Sequence, residues 1–510
     1  MKNFMAFQGS VQIYYDMPPF LSLTQDMLDE LYDTSCCQIL TTSNKKALMR
    51  QVGNLHYCVV SEGEENDSET PAALFRQLCL FHDLMCFRVK IVQNQNLLNR
   101  AFSRSDIEVQ LTPLVNTMQR LLRTHQSMLV QSIEYVHLNS KNSKLCVQVL
   151  EDGINEHPYL LHAVLLCGTK LVAVYSKDKT WILLPRDILC LIIYSQSIFY
   201  TEEQNVGEDE KSNDVSINED LFEHNSDVMT DASELTSDVF LDSQSPISRE
   251  KSFSNKKIEP ENNVSPPGSP KPSVNSRFDF LYFHSSNSSH VEQVRCGVYS
   301  EYNPETDLTL LLIYDPVNQS QVVRSEEEIE QDNNTIKRQL ARTARTIDRD
   351  LNITVSSYLK VRAQIHVTML HYLHHCPGMV HFIYVNRVRN TVIAPRIVSL
   401  HTENQQVNED SMTFDVSTEF IKNKVWDMCY RAQQYRDEGY TEIGICGDGV
   451  QYWFKEWLED ETGAELRFCK NNLKFAKAHY ELYTMYLPFV SNQAICHYNR
   501  VLIGVLNSDS

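Results

Sequence analysis

Several signatures of well-known chemistry are missing from this chain, and each absence narrows the field. There is no basic excess: 46 Lys and Arg stand against 66 Asp and Glu, a formal charge of −20, so the footprint of a nucleic-acid binder is absent. The 14 cysteines include no Cys-x-x-Cys pair, and the adjacent Cys36 and Cys37 make a poor zinc signature. Cys79, Cys146, Cys167, Cys190 and Cys296 sit among apolar neighbours, which fits small hydrophobes in a reducing compartment. The longest apolar run, Ile188–Tyr194, falls far short of the ~20 residues that cross a bilayer. The apolar stretch in Met1–Gly9 is too short for a secretion signal. A cytosolic protein is expected, with any membrane contact peripheral. No Gly-x-x-x-x-Gly-Lys-Ser/Thr phosphate loop, Gly-x-Ser-x-Gly elbow or His-Glu-x-x-His helix occurs.

What is present builds cores. With 510 residues, 42% hydrophobic and 10% aromatic, the chain has room for about three domains of roughly 150 residues each. The clearest organisation lies between Met379 and Lys470. Met379–Val385 and Thr391–Pro395 flank a short polar turn, a hairpin signal that ends at a proline. A helix follows, with Ser417 or Asp415 at its cap, Glu419 in its first turn and Gly439 at its end. Its expected buried stripe is Phe420, Ile421, Val425, Met428, Cys429 and Ala432. Thr441–Cys446, Val450–Trp457 and Ala464–Cys469 then read as strands, and Leu473–Leu487 as a further helix before Pro488. The order β-β-α-β-β-β points to one antiparallel sheet carrying helices.

The same order returns upstream. Leu160–Cys167 and Lys170–Tyr175 form a hairpin around Gly168 and Thr169, and a helix spans Pro185–Tyr200. Strands at Phe278–His284, Gln293–Tyr302 and Asp307–Tyr314 complete the set. Between helix and third strand lies 201–277, Ser/Asp/Glu-rich and then Pro/Ser-rich, expected to be disordered. From Glu202 to Asp242 it carries fourteen acidic residues and one base, Lys211. Ser245, Ser265 and Ser269 each precede proline there and are candidate phosphorylation sites or incidental linker serines. A fainter copy stands first: strands at Phe4–Phe7, Ser10–Tyr15, Gln38–Thr41, Lys46–Val52 and Asn54–Val60, with a helix at Leu23–Leu31. Pro71–Phe87 is a helix whose stripe Leu74, Leu78, Phe81 and Met85 faces either a core or a second subunit. Connecting helices are expected at Ser105–Tyr135 and Glu328–Asn352. The expected fold is α/β (α+β), with three units of one plan. Their bounds are 1–104; 105–155 for connecting helices; 156–200 with 278–352; 201–277 for the linker; and 353–510.

These segments also carry a likeness in wording. Cys376–Arg387, Ile393–Pro395, Phe420–Trp426 and Gly439–Thr441, together with Leu161–Leu166, Lys170–Tyr175 and Leu184–Leu189, resemble the Hermansky-Pudlak syndrome type 1 family of tri-longin exchange-factor subunits. Glu30–Thr34 and Leu80–Leu84 are similar more loosely. The chain is shorter than that family's pattern, mainly in the first unit and the linker. The resemblance implies three longin domains, each a five-stranded antiparallel sheet with packed helices. It also implies a heterodimer with the Hermansky-Pudlak syndrome type 4 protein, the third biogenesis-of-lysosome-related-organelles complex. Such a pair is a guanine-nucleotide exchange factor for Rab small GTPases of the thirty-two/thirty-eight type, in vesicle-mediated transport at endosomal or lysosome-related organelle membranes. By analogy with related tri-longin factors, the resemblance implies that the N-terminal longin domains pair and grip the Rab switch regions. The alternative is a longin-type adaptor or Rab effector without exchange activity.

Several clusters carry residue types capable of chemistry. His366, His371, His374, His375 and Cys376 gather on an expected helix, and His371 and His375 have metal-capable spacing, but Tyr372 stands where a zincin needs glutamate. Arg338, Arg342, Arg345 and Arg349 form a stripe suited to anionic lipid, an acidic partner or plain solvent, weakened by Asp348 and Asp350. Gly444–Gly449 echoes a nucleotide loop but lies between strands, so a hairpin turn is expected. Glu456, Glu459, Asp460 and Glu461 are expected to face solvent, and the sequons at Asn287 and Asn352 to stay bare. No catalytic, cofactor-binding or metal residue is assigned, no cofactor is expected, and the chain is not expected to be a bond-making enzyme.

Overall fold

The computed structural model describes residues 2–8, 11–13, 38–42, 45–52, 55–62, 71–88, 104–178, 181–209, 275–285, 292–315, 326–364, 367–397, 416–447, 449–466, 468–469, 472 and 476–509. The chain divides into one compact unit, Met1–Gln204 with Asn275–Ser510, and a second, Asn205–Val274, of which only the first residues are described.

Three sheets share one strand order. The first holds β1 (Lys2–Gln8), β2 (Val11–Ile13), β3 (Gln38–Thr42), β4 (Lys45–Val52) and β5 (Leu55–Glu62), ordered β2-β1-β5-β4-β3. Helix α1 (Pro71–Arg88) follows, then α2 (Arg104–Thr124), α3 (Gln126–Leu129), the two-residue β6 (Ile133–Glu134) and α4 (Ser140–Asn155). The second sheet holds β7 (Leu160–Cys167), β8 (Lys170–Ser176), β9 (Ser276–Ser285), β10 (Glu292–Asn303) and β11 (Leu308–Tyr314), ordered β8-β7-β11-β10-β9, with α5 (Pro185–Asp209) after its second strand. Then come α6 (Glu326–Thr354), α7 (Ser356–Gln364) and α8 (Met369–Leu373). The third sheet is built from β12 (Met379–Asn386), β13 (Thr391–Ile393), α9 (Val416–Asp437), β14 (Glu442–Gly447), β15 (Val450–Glu459), the short β16 (Glu465–Leu466) and β17 (Ala478–Tyr486), before α10 (Asn492–Asp509). Its order, β14-β15-β17-β12-β13, is the same pattern read from the other edge, and β6 adds a further strand beside β13. Numbered within each unit, all three sheets run 2-1-5-4-3.

The order places strands one and five at the centre, where they are covered on both sides. In the second sheet, Val164, Leu166, Leu311 and Ile313 pack with α1, α2 and α5. Their neighbours Ala163, Leu165, Leu310, Leu312 and Tyr314 pack with α4 and α6 on the other face. Every residue of β11 is buried. Two-sided burial explains why these antiparallel strands read as continuous apolar runs, a pattern more usual for parallel sheets. The third sheet repeats the arrangement, with Ile383, Val385, Tyr483 and Met485 under α9 and Phe382, Tyr384, Leu482 and Tyr486 under α10.

Several expectations are corrected. Leu473–Leu487 is not a helix: Ala478–Tyr486 is a central strand paired with β12 and β15. Its two faces are both buried, so polarity does not alternate and the segment has no strand-like signature. The expected strand Ala464–Cys469 shrinks to the two residues of β16. The third sheet has seven strands, because β16 pairs with β15 and a connector adds β6. That connector is the end of the helix expected over Ser105–Tyr135, which breaks at His125 where the backbone turns extended (φ −118, ψ 122). Side chains of α9 take up two of the carbonyls released by the break, as described below. The helix at Pro185 runs on to Asp209, past the expected linker boundary, and β9 begins at Ser276. Phe420 leaves the expected stripe and is half exposed, with Lys424 Nζ 5.5 Å above its ring. The α9 terminus matches expectation: Gly439 has φ +97 and Tyr440 N–H donates to Tyr435 C=O. The Leu23–Leu31 helix, the candidate cap Asp415 and the disorder of 210–274 lie outside the described residues, and Ser417 falls within α9 instead of preceding it.

One glycine is demanded by close approach. An added Cβ at Gly297 would stand 1.9 Å from Cε1 of the fully buried Tyr314, on the strand paired with it. Gly297→Ala is therefore expected to lower stability by about 1–3 kcal/mol in urea unfolding, through overpacking. Gly447→Ala, which meets nothing within 4 Å, is expected to change it by under about 1 kcal/mol.

Candidate functional site

The densest chemistry among the described residues is a closed ion cluster between the third sheet and α9. Glu481 lies on the central strand β17, on the face that α9 covers, and is fully buried. Arg387, just past β12, grips it with two bonds: Nη2 to Oε2 at 2.6 Å and Nε to Oε1 at 2.7 Å. Arg436 from the last turn of α9 bridges both carboxylates, donating from Nη1 to Glu481 Oε1 (2.9 Å) and from Nη2 and Nε to Glu456 (2.9 and 3.1 Å). Tyr483 Oη donates to Glu481 Oε2 at 2.8 Å, and His479 Nε2 lies 2.7 Å from Glu456 Oε1. Burial alone raises the carboxyl pKa, but the Arg387 guanidinium beside it holds Glu481 at about 2. Burial pushes Arg387 the other way, yet Glu481 wins and keeps it charged.

Glu456, His479 and Glu481 offer ligand atoms within 4.8 Å of one another, the donor types of a divalent-metal site. Their carboxylate oxygens are instead taken by guanidinium donors, and two arginines already balance two glutamates. A dication would bring four positive charges against two negative ones. The cluster is an ion-pair network.

What the network holds is the connector. Arg387 Nη1 donates to the Val130 carbonyl (2.7 Å) and to Ser132 Oγ (3.0 Å). Around it, Gln433 Nε2 donates to Leu129 C=O at 3.2 Å and Trp426 Nε1 to Leu122 C=O at 2.9 Å. Gln126 Nε2 donates to Pro395 C=O (2.9 Å), so its Oε1 accepts, and His381 Nε2 at 2.7 Å must carry the proton. The strand β6 pairs in parallel with β13. On its other side Val136 N–H donates to Leu171 C=O, Tyr135 bridges Leu171, and Lys170 pairs with Glu134 at 2.9 Å. Gln131 Nε2 reaches the Arg76 carbonyl of α1 (3.0 Å). Residues 122–136 thus clasp α1, the second sheet and the third sheet together.

The residues singled out in the sequence are placed elsewhere. Glu456 is not solvent-facing: it is 3% exposed, because β15 turns it under α9. Glu461 is exposed, and Glu459 and Asp460 are intermediate. His371, His374 and His375 are all exposed, the rings of His371 and His375 are 6.4 Å apart, and none joins the metal-capable grouping; Cys376 is buried and points its thiol at the Tyr498 carbonyl. The histidine His366 lies outside the described residues. Gly447 and Val450 pair across a β14–β15 hairpin with Gly449 at φ +81, as expected. Leu78, Phe81 and Met85 belong to the core shared with the second sheet. Arg338, Arg342, Arg345 and Arg349 are all exposed, and Asn352 is exposed too. Ser245, Ser265, Ser269, Asn287 and the Cys36–Cys37 pair lie outside the described residues. Cys146, Cys167, Cys190 and Cys296 are buried, and burial pushes the Cys146 thiol up to about 11 and Cys167 to about 12, so they stay protonated.

Removing one member of a buried ion pair strands the other. Arg387→Met is expected to cost about 3–5 kcal/mol in urea unfolding, and the double change Arg387→Met with Glu481→Met to recover a large part of it. A second expectation concerns acid. Burial lowers His162 to about 4 and His381 to about 3, both below the unfolded value near 6.5. Their contribution is complete above that value and is lost as pH falls towards the folded values. At pH 5 each is expected to cost about 2 kcal/mol relative to pH 7, and His381→Gln to flatten the measured slope of stability against pH. Compared with known protein families, the chain matches no family model.

Proposed function

We propose that the chain is a three-longin subunit of a heterodimeric guanine-nucleotide exchange factor for Rab GTPases, acting in the biogenesis of lysosome-related organelles. The observation that carries this reading is the recurrence of one strand order, 2-1-5-4-3, in three sheets of one chain, with a helix after the second strand in the second and third sheets. The sequence segments that resemble the tri-longin exchange-factor family fall on those elements: on β7, β8 and the start of α5, and on β12, β13 and α9. A fold by itself supports many functions, so the chemistry of exchange must also suit it.

Exchange requires no reactive side chain. The factor binds the nucleotide-free GTPase more tightly than the loaded one, and that difference in affinity drives nucleotide out. A shaped and rigid surface serves this, and the clasp at 122–136 supplies rigidity by joining the second and third sheets through backbone pairing. The cluster of Arg387, Glu481, Arg436 and Glu456 is closed over by α9 and serves that joint. The partner in this reading is the Hermansky-Pudlak syndrome type 4 protein. No described helix is long and apolar enough to cross a membrane.

Release of labelled GDP from a Rab of the thirty-two/thirty-eight type tests the proposal. The reconstituted pair is expected to accelerate release by roughly tenfold or more over the Rab alone, which a barrier lower by about 1.4 kcal/mol gives. Unaccelerated release together with tighter binding to the GTP-loaded Rab would establish the effector or adaptor instead.

A further inference from the structure

Helix α6 lies with Ile336, Leu340, Ala344, Ile347 and Leu351 sunk in the second sheet's core. Its rotation is pinned by Tyr159 Oη donating to Gln339 Oε1 at 2.8 Å and by Thr343 Oγ1 lying 2.7 Å from His157 Nε2. Close contact with α4 sets it further, since an added Cβ at Gly153 would stand 2.6 Å from Ile347. The side chains turned outward are therefore fixed as a set: Arg338, Arg342, Arg345, Arg349 and then Ile353, spaced by 4, 3, 4 and 4 residues. They form a row about 22 Å long at the helical rise. The four arginines are exposed and Ile353 is 76% exposed.

Charge along this row is only partly cancelled locally. Lys337 to Asp350 holds five bases and two acids, a net +3 within a chain of −20. Asp348 is engaged by Asn303 Nδ2 (3.1 Å) and Asn352 Nδ2 (3.0 Å), and Asp350 pairs with Arg349 at 3.2 Å. Glu301 on β10 feels Arg345, and Arg338, Arg342 and Arg345 have no ion pair among the described residues. At cellular salt the screening length is about 8 Å, so the distant acidic charge hardly weakens the row. Acidic residues of the helix gather at its other end, 326–332.

We propose that this face of α6 is a docking surface for an anionic lipid bilayer, with the arginines on phosphates and Ile353 entering the headgroup layer. The row lies along a helix already seated on a sheet and ends in an exposed aliphatic chain. That combination of cationic stripe and apolar tip matches a helix lying in a membrane interface. Arginine suits it, since its planar fork binds phosphate with paired bonds. The proposal does not rest on exchange activity, and its test does not involve a Rab.

The full chain is floated with vesicles of phosphatidylcholine alone or with roughly a third phosphatidylserine. Binding is expected to the anionic vesicles only, and to be lost when salt is raised from about 0.1 M to about 0.5 M. Arg342→Glu with Arg345→Glu is expected to weaken it roughly tenfold or more, whereas Arg500→Glu, exposed on α10, leaves it unchanged. Ile353→Trp is expected to bind more tightly and to shift its fluorescence to the blue on anionic vesicles. Thermal unfolding of each variant confirms that the fold is retained. Equal binding to neutral vesicles, unchanged binding by the doubly reversed variant, or no binding at low salt overturns the proposal. The last result would leave the stripe to an acidic protein or to solvent.

Discussion

The bidentate grip of Arg387 on Glu481 is the interaction on which the joint between sheets depends. A carboxylate at the centre of a sheet, under a helix, is costly unless its oxygens are filled, and four donors from Arg387, Arg436 and Tyr483 fill them. The remaining nitrogen of Arg387 is then left to hold the connector at Val130 and Ser132. One guanidinium therefore links the stability of the third sheet to the position of residues 122–136. Those residues in turn meet α1 and the second sheet. The cluster thereby ties the third sheet to the connector and, through it, to α1 and the second sheet.

Much of the fold was legible because its hairpins are short and some helix ends carry a proline or a glycine. Leu160–Cys167 has the bounds expected of it, and Pro185 and Gly439 mark helix ends as their backbone preferences require. The strand order of the second unit was legible without repeated sequence, whereas in the third the fifth strand was expected at Ala464–Cys469 and stands at Ala478–Tyr486. Ala478–Tyr486 was not, because a strand packed on both faces keeps no polar side, and its one charged residue, Glu481, is paired inside. The connector was hidden for a different reason. A two-residue strand such as Ile133–Glu134 has no period to detect, and its ladder partners on β13, with Asn390 C=O accepting from Ile133 N–H, lie more than 250 residues away.

The ion cluster was equally invisible as a set. Arg387, Arg436, Glu456, His479 and Glu481 come from four elements and their turns, and no spacing rule connects them. A clue did exist: Arg387 follows a strand whose only polar residues are His381 and Asn386, and Glu481 interrupts an aromatic one. Buried charge was the physical reading of both. The histidines of 366–375 drew the eye because they are close in sequence, but the three that are described are exposed and none joins the grouping of potential metal ligands. The arginine row of α6, by contrast, was legible, since an exposed helix face obeys its period whatever the tertiary structure does.

The strand β6 has one more effect, on how such sheets behave in company. A sheet normally ends in rows of unpaired peptide groups that invite another chain to join. Here a short backbone segment caps β13 on one side and reaches β8 on the other, so two borders of two sheets are closed by one piece of chain. The opposite border of the third sheet is β14, only six residues long and carrying Gly444 and Gly447, a poor template for growth. Resistance to runaway strand addition is thus built into the same few residues that join the sheets.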